Sequence, residues 1–125
     1  MNLTRQPVTQ KPRRGGKDPA RLAAVAALPC VICVMFDMRQ NSRTEVHHCK
    51  SGRYGSLKEA DRNTIPLCHS HHNKLIPHDG DADKIGFHNR QETWEGAYGR
   101  DYDYLPTVDQ WIDKATEADI LGDAF

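Results

Sequence analysis

Fewer than one residue in five of this chain is Leu, Ile, Val or Phe: 23 of 125. Mean hydropathy is −0.74 and aromatics make up 7%. That is thin material for a packed core, and a domain of this size and polarity needs a staple, either disulfides or a metal. No apolar run comes near the roughly 20 residues of a membrane span. No charged-then-apolar leader opens the sequence, so the expectation is a cytoplasmic protein. Net charge is absent too, with 17 Lys and Arg against 17 Asp and Glu. Low apolar content combined with a large net charge would signal disorder, and here the charge is zero. A membrane protein, a fibrous repeat and a large cofactor-binding fold are excluded. What the chain does have is 4 Cys and 7 His.

The charges are balanced but segregated. Residues 1–21 carry six basic side chains against Asp18, and residues 101–125 carry seven acidic ones against Lys114. The start, with its KPRRGGK stretch, reads as a flexible basic arm over 1–17, of the kind that attracts phosphate backbones. The acidic end reads as a solvated helix face. One domain is expected over 18–121, with 122–125 as a tail.

Local signals place the elements. Asp18 and Pro19 open a helix as N-cap and first helical residue, with Leu22, Val25 and Ala26 on one face. Pro29 stops it, and Cys30 to Cys33 form a tight turn. Thr44–His48 reads as a short strand. A loop follows to Asn63, then a second short strand over 64–67, where Pro66 suggests an edge. His69 to Ile76 reads as a helix ending before Pro77. The tract from Asp81 to Tyr98 has helical spacing through Ile85, His88, Trp94 and Tyr98, with a stop at Gly99. A last amphipathic helix over 107–121 turns Val108, Trp111, Ile112, Ala115 and Ile120 to the core.

Cys30-x2-Cys33 is a two-thiolate chelate, and Cys68-x2-His71 repeats the spacing with one imidazole. Two such pairs build a tetrahedral zinc site, and thiolate with imidazole suits zinc better than magnesium or calcium. The expected structural zinc ligands are Cys30, Cys33, Cys68 and His71. Cys49 reads as a partly buried structural thiol.

Six histidines remain. His47 and His48 end the first strand, Asn63 precedes the second, and His72 sits on the helix after it. Strand, loop, strand, helix in that order describes a ββα unit around one catalytic metal. His69 reads as solvent-facing.

The stretch from Cys30 to Trp94, with the strings CVIC, EVHHCKSGRYG, NTIPLCHSHHNKL and GFHNRQETWEGAYG, resembles the HNH (ββα-metal, His-Me finger) endonucleases. More narrowly, it is similar to the phage recombination-enhancement (Ref) nucleases, which depend on RecA. The resemblance implies an α+β fold, a zinc-stapled ββα-metal core with flanking helices. It implies a phage-encoded, metal-dependent DNA endonuclease linked to recombination and acting with RecA filaments in the bacterial cytoplasm. It also implies the roles: His48 as general base, its ring oriented by a backbone carbonyl near Asn63, and His47 and His72 as ligands of a catalytic magnesium or manganese. His88, matched to the family's apolar-apolar-His step before Trp94 and Tyr98-Gly99, would be the third ligand, with His78 as its competitor.

Such chemistry needs a base that works near neutral pH and a positive centre for the charge that builds on phosphate. Lys50, Arg53 and Lys58 in the inter-strand loop, with Lys74 and Arg90 beside the ligands, are candidate DNA contacts. Tyr54 is the only aromatic in that loop, while Trp94, Tyr98 and Trp111 read as core. The alternatives are a zinc-stapled module that binds DNA or a recombinase without cutting, and a hydrolase of RNA on the same frame.

Overall fold

The structure, a computed structural model, describes residues 16–56, 60–74 and 79–123, with the backbone alone for residues 56 and 119–123. The basic arm up to residue 15, Lys58 and His78 lie outside the described residues. Among those described there are five α-helices, two strands and two short 3-10 turns, a small α+β arrangement.

Helix α1 (Pro19–Ala26) starts as its sequence dictates: the Asp18 carboxylate accepts from the Arg21 N–H at 3.1 Å, and Pro19 takes the position where an N–H is not needed. Val25 is its one fully buried side chain, while Ala26 is exposed. Arg21 ties α1 to two other elements. Its guanidinium donates to the Thr64 carbonyl at 2.7 Å and pairs with Asp109 at 2.5 Å. Helix α2 (Val31–Met35) is a single short turn capped by Cys30, whose sulfur accepts from the Cys33 N–H at 3.5 Å.

Strands β1 (Thr44–His48) and β2 (Thr64–Cys68) pair antiparallel, with Thr44 opposite Cys68 and His48 opposite Thr64. In a two-stranded sheet each strand has an open edge, so Pro66 removes no needed donor. All five β2 residues are nonetheless buried, because α1, α2 and α5 pack against the strand. Helix α3 (His69–Asn73) follows β2 without an intervening residue, Cys68 serving as its N-cap. Helices α4 (Gln91–Tyr98) and α5 (Leu105–Asp123) complete the chain, joined by a 3-10 turn at Asp101–Tyr104. Gly99, at φ +93°, ends α4 in a conformation that an L side chain rarely adopts.

Two helix expectations are corrected. Helix α3 ends at Asn73 rather than Ile76, and the helical spacing from Asp81 is helix only from Gln91. Tertiary hydrogen bonds decide this. The Phe87 and His88 N–H groups donate to the carbonyls of His71 and His72 at 2.9 and 3.0 Å, satisfying the end of α3 from outside. The indole N–H of Trp94 joins them on His71 at 3.1 Å. Upstream, the buried Asp81 carboxylate accepts from Ser70, Asn41 and Lys84, which fixes the turn there. The last helix begins at Leu105, two residues earlier than expected, and Ala115 faces solvent.

The core is small. Ile32, Ile65, Leu67, Phe87, Trp94 and Leu105 are fully buried at its centre. Tyr54 is buried and stacked on Tyr102 at 4.9 Å, so it is core as well. Gly86 allows the 81–90 segment to lie against α3: a Cβ there would stand 2.7 Å from the Lys74 backbone nitrogen and 2.5 Å from Asn89 Oδ1. Gly86→Ala is therefore expected to cost about 1–3 kcal/mol of stability, read as a lower urea midpoint at unchanged slope. An unchanged midpoint would mean that this contact relaxes freely.

Candidate functional site

Two clusters of ligand-type side chains gather around β1, β2 and α3. In the first, Cys30, Cys33, Cys68 and His71 converge, all buried. His71 Nδ1 lies 3.5, 3.6 and 3.4 Å from the sulfurs of Cys30, Cys33 and Cys68, and Cys33 Sγ lies 3.9 Å from Cys68 Sγ. Tetrahedral zinc with Zn–S of about 2.3 Å and Zn–N of about 2.0 Å sets S···N near ~3.5 Å and S···S near ~3.8 Å. The four side chains thus fit a tetrahedral metal such as zinc. Crowding polarises the thiols: the hydrogen bond to Cys33 pushes Cys30 up, and the hydrogen bond with Cys30 pulls Cys68 down. A divalent cation would replace those shared protons. Lys84 stands beside them, its ammonium bonded to Asp81 at 2.9 Å and to the Arg39 carbonyl at 2.6 Å. Burial opposes its charge, but Asp81 and the sulfurs of Cys33 and Cys68 outweigh that and hold its pKa above the ordinary value.

The second cluster is His47, His72 and His88, whose ligand-type nitrogens lie within 4.8 Å of one another. The ring centroids are 5.2 Å apart for His47 and His72, and 4.7 Å for His72 and His88. His47 is fully buried and His88 exposed, so the cluster runs from the interior to the surface.

Each of two rings has a carboxylate behind it. Asp101, itself fully buried, lies 2.8 Å from His47 Nε2. Glu45 lies 2.8 Å from His72 Nδ1 and, through its other oxygen, 3.0 Å from His69 Nδ1. An acceptor-only carboxylate takes an N–H, so the lone pair sits on the opposite nitrogen of each ring. For His47 that nitrogen is Nδ1, buried without a hydrogen-bond partner. For His72 it is Nε2, which stands 3.1 Å from His88 Nε2. Two nitrogens bound to one metal at about 2.1 Å stand roughly 3.0–3.4 Å apart. The residues therefore fit a divalent cation.

Burial keeps His47 neutral, its pKa pulled down to about 4 against the opposing pull of Asp101. Neutral imidazole is the ligating form. For Glu45, burial works upward, but the His72 and His69 N–H groups prevail and hold the carboxyl below its ordinary value.

His48 is outside this cluster. Its ring meets Asp61 at 2.9 Å through Nε2. The Asp61 carboxylate, two residues before Asn63, is thus a partner of this ring. The Asn63 carbonyl accepts from the Cys49 N–H at 2.8 Å, closing the loop between the strands, and the Asn63 side chain is buried. Asp61 also accepts from the Asp18 backbone at 2.8 Å, which anchors the dyad to the start of α1. His48 is partly exposed, at 24%.

The basic candidates divide. Arg53 and Arg90 are exposed, and Lys50 is half-buried with its backbone N–H on Asp101. Lys74 instead donates to the carbonyls of Asp81, Ala82 and Lys84, closing the turn after α3, so its ammonium is committed within the chain. His69, expected to face solvent, is tied to Glu45.

Glu45, Asp61 and Asp101 are the site residues that sequence reasoning missed. Glu45 had a signal, since it lies two residues before His47 and therefore on the same strand face. Asp101 had none, and its placement corrects the reading of residues 101–125 as a uniformly solvated acidic face.

A family model described as recombination enhancement, RecA-dependent nuclease matches residues 16–112. Searches of curated proteins and of solved structures return no match.

Proposed function

The chain belongs to the family of recombination-enhancement, RecA-dependent nucleases, and on that premise we propose that it is an HNH-type (ββα-metal) DNA endonuclease. In this reading zinc staples the fold through Cys30, Cys33, Cys68 and His71, and a catalytic divalent metal is held by His47, His72 and His88. The observation that carries the proposal is the triple imidazole cluster, together with the His47 Nδ1, buried without a hydrogen-bond partner. A binding module has no use for such a group.

The metal would supply positive charge where phosphate oxygens and the leaving oxygen become more negative. The rest belongs to the chain. His48 accepts the proton of the attacking water as the new P–O bond forms and the old one breaks. Asp61 takes the Nε2–H of His48, which puts the accepting lone pair on Nδ1 and stabilises the imidazolium. Asn63 helps shape the loop that brings Asp61 to this ring. Lys50, Arg53 and Arg90 meet the phosphate backbone on either side of the cluster.

Three imidazoles and no carboxylate make a softer donor set than magnesium prefers. Manganese is therefore expected to support cleavage at a lower concentration than magnesium. The test is nicking of circular DNA bound by a RecA filament, across a series of each metal, with protein of measured zinc content. Manganese-dependent nicking by zinc-loaded protein is the expected result. Zinc-loaded protein that binds the filament but never cuts it would overturn the reading in favour of a binding module.

A further inference from the structure

Asp101 stands at a junction that neither the histidine cluster nor the family assignment explains. Its carboxylate is fully buried. Oδ2 meets His47 Nε2 at 2.8 Å and the Lys50 N–H at 2.6 Å. The Ser51 N–H points at Oδ1 at 3.1 Å and at Oδ2 at 3.3 Å. In return, the Asp101 N–H donates to the Ser51 hydroxyl at 3.3 Å. The 3-10 turn between α4 and α5 thereby grips the end of β1 at His47 and, at Lys50 and Ser51, the loop that carries Lys50 and Arg53.

A buried carboxylate without compensation is expensive, and this one persists because three N–H donors converge on it. Two of those donors are backbone groups, and the third belongs to a side chain in the candidate metal cluster. Removing Asp101 would orphan all three at once.

We infer that Asp101 is a positioning residue that fixes His47 in the tautomer with its lone pair on Nδ1 and locks the Lys50–Arg53 loop in register with the metal. The inference rests on the proposed metal centre. A carboxylate behind a ligating histidine raises the basicity of the ligating nitrogen, and loss of such a partner typically weakens metal binding about 10–100-fold. Asn at this position keeps the shape and an acceptor oxygen but removes the charge.

The experiment uses full-length, zinc-loaded protein titrated with manganese(II), with free manganese counted by its electron paramagnetic resonance. Asp101→Asn is expected to bind manganese about 10–100-fold more weakly while retaining its zinc. His72→Ala, in the same assay, reports on the metal centre itself. If His72→Ala abolishes binding and Asp101→Asn matches the parent protein within twofold, the inference about Asp101 fails and the centre stands. If neither substitution alters binding, the metal centre is wrong.

Should Asp101→Asn lose zinc and unfold, the parent protein still decides the matter. Nitrogen-15 shifts of the His47 ring in zinc-loaded, manganese-free protein are expected to show the proton on Nε2. A proton on Nδ1 would overturn the inference.

Discussion

Exchange of Cys68 for serine is expected to unfold the protein rather than weaken it. Structural zinc contributes apparent free energies of about 10–16 kcal/mol in small metal-folded domains, whereas a whole domain is stable by about 5–15 kcal/mol. The core offers little reserve, since its fully buried centre is a handful of side chains led by Trp94 and Phe87. Cys68 ends β2, caps α3 and faces Cys33 and His71. Loss of its sulfur opens the tetrahedron and frees the strand–helix corner together. Elemental analysis should find one zinc per parent chain and none in Cys68→Ser, and circular dichroism should show the variant without a cooperative melt. A variant that melts like the parent without zinc would show that the fold does not depend on the metal.

Substitution of His48 by alanine is expected to slow nicking by about 10²–10⁴-fold, the usual contribution of a general base. Zinc content, melting temperature and manganese affinity should stay close to those of the parent, because His48 lies outside both clusters and is partly exposed. That pattern separates it from His72→Ala, in which cleavage and manganese binding should disappear together. A His48→Ala protein that cuts at the parent rate would place the base on another residue.

How much of this was legible beforehand depends on the range of the interactions. The strands were readable at 44–48 and 64–68 to within a residue, because β-branched and apolar residues lie between clear loop signals. The four buried sulfur and imidazole ligands were readable from two short spacings, and the structure brings them together. His88 joined His47 and His72 on resemblance alone, and the structure places all three side by side. Its competitor, His78, lies outside the described residues. The 81–90 segment was misread as helix. Its apolar spacing is real, but Phe87 and His88 hydrogen-bond to the end of α3, a contact that no local pattern announces. Asp101 was misread for the same reason, since its charge suggested solvent and three distant N–H groups buried it.

His71 belongs to the sulfur cluster and His72 to the imidazole cluster, and they are consecutive residues of a five-residue helix. Consecutive positions point about 100° apart around a helix axis, so this single turn aims its two adjacent histidines at different clusters. Any roll of the helix that improved one set of donors would misalign the other. In the proposed two-metal arrangement the affinities of the two sites are therefore geared together. A thiol oxidant that opens the first cluster would also disarm the second, without touching His47, His72 or His88.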